Sequence, residues 1–219
     1  MSENISGDSD RHSFAGRGTG KPCQSSATRN DQPEEAHAMT DDLKHDRQSC
    51  SKLRNVRILY LPPATVAAAH FIGPDPEHVT LDQIAAFARA HDLARIKPDL
   101  RLYGFNHPNP VDDTGAHGYE FWLTIPDDLA VPAPLTKKRF EGGLYAAHAI
   151  QMDDFHEWEW LSAWVEQNGE YVYRGNGSPE NMFDSLEEHL NVFTHLQTPG
   201  ALRPAQLDLL VPVRHRSQS

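Results

Sequence analysis

Apolar residues are scarce before about Leu53 and then arrive in short, punctuated runs. Val56-Arg-Ile-Leu-Tyr-Leu61 is closed by Pro62-Pro63, and Thr65-Val-Ala-Ala-Ala-His-Phe-Ile72 is closed by Gly73-Pro74-Asp75-Pro76, because proline removes a donor and restricts the residue before it. Both runs predict strands. Thr80 then reads as the N-cap of a helix, with Leu81, Ile84, Phe87, Ala88 and His91 at helical spacing and Pro98 closing the element. Leu100-Arg-Leu-Tyr-Gly-Phe105 predicts a strand, and the Asn106–Pro110 stretch with Asp112 and Asp113 a loop. A further strand, Gly118-Tyr-Glu-Phe-Trp-Leu-Thr-Ile125, ends at Pro126.

The second half repeats this order. Residues 138–150 predict one long strand, with Gly142-Gly143 marking a bulge or a close backbone approach. Asp153 or Asp154 would cap a helix carrying Phe155, Trp158, Leu161, Ala163, Trp164 and Val165, which Gly169 ends. Met182, Phe183, Leu186, Leu190 and Phe193 recur at helical spacing, so periodicity predicts a helix over 180–194. An extended reading of Leu186-Glu-Glu-His-Leu190 instead puts Glu187 and His189 on one face and Glu188 on the other. Leu207-Asp-Leu-Leu-Val-Pro-Val213 predicts the last strand. Two strand–helix–strand–strand units of similar length predict an α+β pseudo-dimer, with two helices on a mostly antiparallel sheet.

Composition divides the chain. Residues 1–52 are Ser, Asp, Gly, His and Gln with almost no apolar grouping, so a disordered polar tail is expected there. Residues 53–214 are long enough for a real core, and 215–219 read as a short C-terminal tail. Met39 is a candidate alternative start, and loss of residues 1–38 is expected to leave the fold intact. The tail holds 9 of the 31 acids and 7 of the 20 bases, so most of the net −11 sits on the domain. Such a surface is a poor match for phosphate backbones, and direct nucleic-acid binding is not expected. Both cysteines, Cys23 and Cys50, lie in the tail; with no apolar leader and no membrane-length run, a cytoplasmic location is expected.

The candidate chemistry begins with acids among apolar residues. In the Gly118 strand, Tyr119, Phe121, Leu123 and Ile125 share one face, and Glu120 and Trp122 the other. A carboxylate beside an indole is either a solvated outer face or the floor of an aromatic pocket for cations. Glu187, between leucines, is either part of a solvated edge or a cleft acid able to meet a cation or to work as acid or base. Tyr103, Phe105, Tyr119, Trp122, Tyr145, Trp158, Trp160 and Trp164 supply aromatic surface, most of it for a core, with Trp122 and Tyr145 the better candidates for a pocket. The 13 histidines form no His-Glu-x-x-His pair and the domain has no cysteine cluster, so no metal site is expected. Phosphate-loop and nucleophile-elbow spacings are absent too, and no cofactor is expected.

An ordered series of phrases carries a resemblance. These are Leu61-Pro-Pro63 with Val66-Ala67 and Gly73-Pro74, Tyr103-Gly-Phe-Asn106, Gly118-Tyr-Glu-Phe-Trp122 and Phe140-Glu-Gly-Gly-Leu-Tyr-Ala146. Trp160-Leu-Ser-Ala-Trp164, Leu186-Glu-Glu-His-Leu190 and Gln206-Leu-Asp-Leu-Leu-Val-Pro-Val213 complete it. Over about residues 53–214 the chain resembles the GyrI-like, or AraC-type, effector-binding domains. The resemblance implies a tandem strand–helix–strand–strand (SHS2-like) module with a ligand cleft between the halves, and favours the extended reading around Glu187. It also implies a small-molecule ligand, hydrophobic and often cationic, held by aromatics and a glutamate. By motif that glutamate is Glu187, and His189 stands where the family has tyrosine. Trp122, Tyr145, Tyr119, Phe105, Tyr103, His189 and Trp164 are then expected to line the cleft, with Glu120 adding charge. Other members resembling this chain imply two alternatives: hydrolysis of cyclopropane-containing toxins, with Glu187 directing water, or a protein partner such as DNA gyrase or a DNA-binding regulator.

Overall fold

The computed structural model describes residues 53–110, 117–176, 178–197 and 206–218. The polar segment 1–52 expected to be disordered, and Asp112 and Asp113 of the expected loop, lie outside the described residues. The first half runs β1 (Arg57–Leu61), β2 (Ala64–Gly73), α1 (Pro76–Ala90), a single turn α2 (Leu93–Ile96), β3 (Leu102–Asn106) and β4 (His117–Ile125). The second runs β5 (Thr136–Phe140), β6 (Gly143–Gln151), α3 (Glu157–Gln167), β7 (Tyr171–Tyr173), β8 (Leu186–His189), α4 (Val192–Gln197) and β9 (Gln206–His215).

The strands form one antiparallel sheet ordered β1-β6-β9-β8-β3-β4-β2-β5, with β7 also paired to β9. This order is a pseudo-twofold. β2, α1, β3 and β4 correspond to β6, α3, β8 and β9, and the halves join where β3 meets β8 through Tyr103↔Glu188 and Gly104↔Glu187. Each half also lends its leading strand to the other: β1 pairs with β6, and β5 with β2. The expected tandem α+β module is therefore the observed one.

Strand alternation sorts the sheet into two faces. Tyr119, Phe121, Leu123 and Ile125 of β4 meet the α1 stripe Leu81, Ile84, Ala85 and Ala88. Leu207, Leu209, Val211 and Val213 of β9 meet Leu161 and Val165 of α3. The alternate residues, among them Tyr103, Phe105, Phe140, Tyr145 and Leu210, form a third cluster on the bare face, the one turned away from α1 and α3. Each fully buried leucine or phenylalanine here contributes about 2 kcal/mol of apolar burial.

Four local expectations are corrected. Leu186–His189 is a strand, β8, not part of a helix over 180–194: it is flanked on both sides by β3 and β9, whose ladders outweigh local periodicity. The expected strand 138–150 is two strands at separate places in the sheet, because Gly142 (φ 68°) and Gly143 (φ 125°) make a turn that L side chains rarely adopt. Thr80 lies inside α1, which Pro76 opens with its fixed φ; the Thr80 hydroxyl instead donates to the Pro76 carbonyl at 2.6 Å. Neither Asp153 nor Asp154 caps α3, which begins after His156. No helix among the described residues is long and apolar enough to cross a membrane.

Candidate functional site

Glu187 sits on β8 at the seam between the halves, on the helix-bearing face, and is 8% exposed. The Tyr119 hydroxyl donates to its Oε2 at 2.8 Å from β4, two strands away across β3. The intervening position on β3 is Gly104, where a Cβ would fall 2.2 Å from the Tyr119 hydroxyl oxygen. Only a residue without a side chain lets the phenol pass over β3 to reach the carboxylate. Burial pushes the Glu187 carboxyl up to about 7, although hydrogen bonds from Tyr119 and Trp158 favour its charged form. Tyr119 itself is held well above the ordinary phenol range, by burial first and then by Glu187. Among the described residues no Lys or Arg forms an ion pair with Glu187.

Beside this carboxyl lies a hollow of about 350 Å³. Its walls are Phe155, Trp158 and Ser162 at and before α3, Asn106 at the end of β3, and Met182 and Phe183 from the turn preceding β8. Phe155 and Phe183 are large, exposed apolar side chains, the kind of surface that a ligand can cover.

Glu120 occupies the opposite face and a different electrostatic setting. It is 1% exposed and receives three donors: Lys138 Nζ and Trp122 Nε1 on Oε1, and His107 Nδ1 on Oε2 at 2.8 Å. Burial raises its carboxyl pKa, but these bonds outweigh burial and leave it below the ordinary carboxylate value. A second hollow of about 450 Å³ opens here, lined by Phe105, Trp122, Phe140, Tyr145, Lys138 and Arg174 among others.

The residues expected to share one cleft are therefore divided. Glu187 lines the helix-face hollow, with Tyr119 behind it. Glu120, Trp122, Tyr145 and Phe105 line the hollow on the bare face. Tyr103 is buried in the bare-face core, His189 packs its ring 5.0 Å from Phe121, and Trp164 packs on the α3 core; these three line neither hollow. The alternation of β4 already separated Glu120 from Tyr119, but only the β3–β8 register shows that Glu187 falls on the Tyr119 side. Asn106, Met182, Phe183, Lys138 and Arg174 were missed as lining. The periodicity of 182–193 did flag Met182 and Phe183 as apolar surface, but assigned it to a helix.

Solved structures share this architecture. EcmrR in complex with DNA is 14% identical over 81% of this chain, with a TM-score of 0.53, and the match spans only 63% of the EcmrR chain. The EcmrR C-terminal domain alone is 13% identical over 74% of this chain and 98% of that domain, with a TM-score of 0.51. A hydrolase from Listeria innocua is 16% identical over 78% of this chain and 98% of its own length, with a TM-score of 0.50. At these identities the likeness establishes the fold alone. No curated protein matches the sequence. A family profile described as Cass2, integron-associated effector binding protein, matches residues 57–213, from the start of β1 almost to the end of β9. With nearly the whole described domain inside that match, the chain belongs to the integron-associated effector-binding protein family.

Proposed function

We propose that this protein binds a hydrophobic organic cation in the helix-face hollow, with Glu187 as counter-charge. One observation carries the reading: a buried carboxyl, without a cationic partner among the described residues, borders an open cavity walled by Trp158, Phe155 and Phe183. A buried carboxylate left unpaired costs several kcal/mol, roughly, and an aromatic wall adds about 2 kcal/mol for a desolvated cation. An arriving cation relieves the first and gains the second. Effector sensing or sequestration of a toxic compound are the roles such binding serves. Calorimetry with benzyltrimethylammonium and its neutral isostere neopentylbenzene tests this. The cation is expected to bind at least about tenfold more tightly, and Glu187→Gln to abolish the preference. Equal affinities in the parent protein would remove the electrostatic part of the claim.

A second reading rests on the Glu187 carboxyl titrating at about 7, suited to a general base near neutrality. Ionised Glu187 would take a proton from water as the water oxygen bonds to a strained cyclopropane carbon. That carbon's ring bond would break with its electron pair moving into the conjugated carbonyl, and the protonated carboxyl would return the proton to the enolate so formed. Incubation with a cyclopropane-bearing alkylating compound is then expected to yield a product heavier by one water in mass spectrometry. Equal hydrolysis by Glu187→Gln would refute this mechanism.

A further inference from the structure

The larger hollow lies on the face of the sheet turned away from α1 and α3, with the strands between it and Glu187. Its wall is a continuous aromatic surface. The Phe105 and Trp122 rings meet edge-on at 4.9 Å, Trp122 and Phe140 lie 5.9 Å apart, and Phe140 and Tyr145 6.3 Å. Such a wall suits a flat ring system.

The charges around it are mixed, with Lys138, Arg139 and Arg174 set against Glu120, Glu141, Glu180 and Asp184, and they differ in how each is engaged. Glu120, the buried acid, is already matched by Lys138 and bonded by Trp122 and His107, so the pair has no net charge to offer. Asp184 accepts from the Asn176 N–H at 2.8 Å and from Asn181 Nδ2 at 2.7 Å, while Glu141 and Glu180 at the mouth are exposed to screening water.

Arg174 remains. Its Nη2 donates to the Gly142 carbonyl at 3.0 Å, and its guanidinium also bonds the Tyr145 side chain. It lies so close over Gly143 that a Cβ there would fall 2.7 Å from Nη2. The Gly142-Gly143 turn thus cradles the guanidinium against the hollow. Among the described residues no carboxylate forms an ion pair with it. A guanidinium held in a fixed orientation, with donors to spare, matches the planar fork of a carboxylate.

We infer that the bare-face hollow is a second ligand site, selective for a planar aromatic carboxylate that stacks on Trp122 and Phe140 and pairs with Arg174. The two sites then prefer opposite charges. This inference stands independently of the reading of Glu187.

Calorimetry of the full chain with 2-naphthoate and with 2-naphthamide tests it. One naphthoate is expected per chain, bound at least about tenfold more tightly than the amide. Arg174→Gln should erase that margin, and Arg174→Lys, which keeps the charge but not the fork, should retain part of it. Glu187→Gln should leave naphthoate binding unchanged. The Trp122 indole N–H resonance, assigned with Trp122→Phe, should move on titration while that of Trp158 stays. Equal binding of acid and amide, an unchanged margin in Arg174→Gln, no saturable binding, or a response confined to Trp158 would each overturn the proposal.

Discussion

Two buried glutamates of this chain have opposite titration behaviour, because one has a cationic partner and the other does not. Glu120, matched by Lys138, is held below the ordinary carboxylate value, so its contribution to stability is present at neutral pH and lost as pH falls through its folded-state pKa. Glu187 works the other way. Its pKa rises from 4.5 to about 7 in the folded state, so the folded protein holds its proton more tightly than the unfolded chain. Stability from this group is full below the unfolded value and is lost as pH rises from about 4.5 to about 7. Glu187→Gln cannot ionise and keeps an acceptor for Tyr119. It should therefore match the parent at low pH and exceed it at pH 8, by at most about 3 kcal/mol. Urea unfolding at a series of pH values reads this directly, and a difference independent of pH would show that Glu187 does not titrate near neutrality. The same proton links to ligand: affinity for benzyltrimethylammonium should fall towards about tenfold per unit as pH drops below 7.

At the level of elements, Gly104 connects the strands that build the Glu187 site. It pairs with Phe121 on β4 and Glu187 on β8, and the Tyr119 hydroxyl crosses over it. Gly104→Ala would force that hydroxyl aside in a packed region where the Tyr119 and Phe121 rings lie 4.9 Å apart. Destabilisation of about 1–3 kcal/mol is expected, with the Glu187 pKa moving further up as its donor is lost. Tyr119→Phe removes the same bond without the clash, so it should shift Glu187 similarly at a smaller stability cost. Carboxyl titration by NMR that found Glu187 unmoved in both variants would disprove the link. These cross-strand relations mark the limit of what the sequence makes legible. Most of the order of strands and helices, though neither the break of 138–150 into β5 and β6 nor the short β7, and the two faces of β4 follow from alternation and punctuation that are local. The strand character of Leu186–His189 is not local, since it depends on β3 and β9 closing on both sides. The division of the candidate residues between two faces depends on the same pairing. Arg174 gave no signal at all, because its significance comes from a glycine turn more than 30 residues earlier in the chain.

Across the whole molecule, the duplicated halves are not independent units. Each gives its leading strand to the other, and every core cluster draws on both. The bare-face cluster joins Leu61, Val66, Tyr103 and Phe105 to Phe140, Tyr145, Leu186 and Leu210. The α1 core is completed by Val192 and Leu196, and the α3 core by Leu53, Val56 and Ile58. A half expressed alone would lose an outer strand and expose one side of each cluster it contributes to. Residues 53–126 and 127–219 are therefore each expected to lack a cooperative thermal transition by circular dichroism, while an equimolar mixture recovers one. The intact chain should melt in a single step despite its internal symmetry, because separating the halves dismantles all three clusters and both hollows at once. A cooperative melt from residues 53–126 alone would mean that the exchanged strands are dispensable, and that each hollow is bordered by halves able to move against one another.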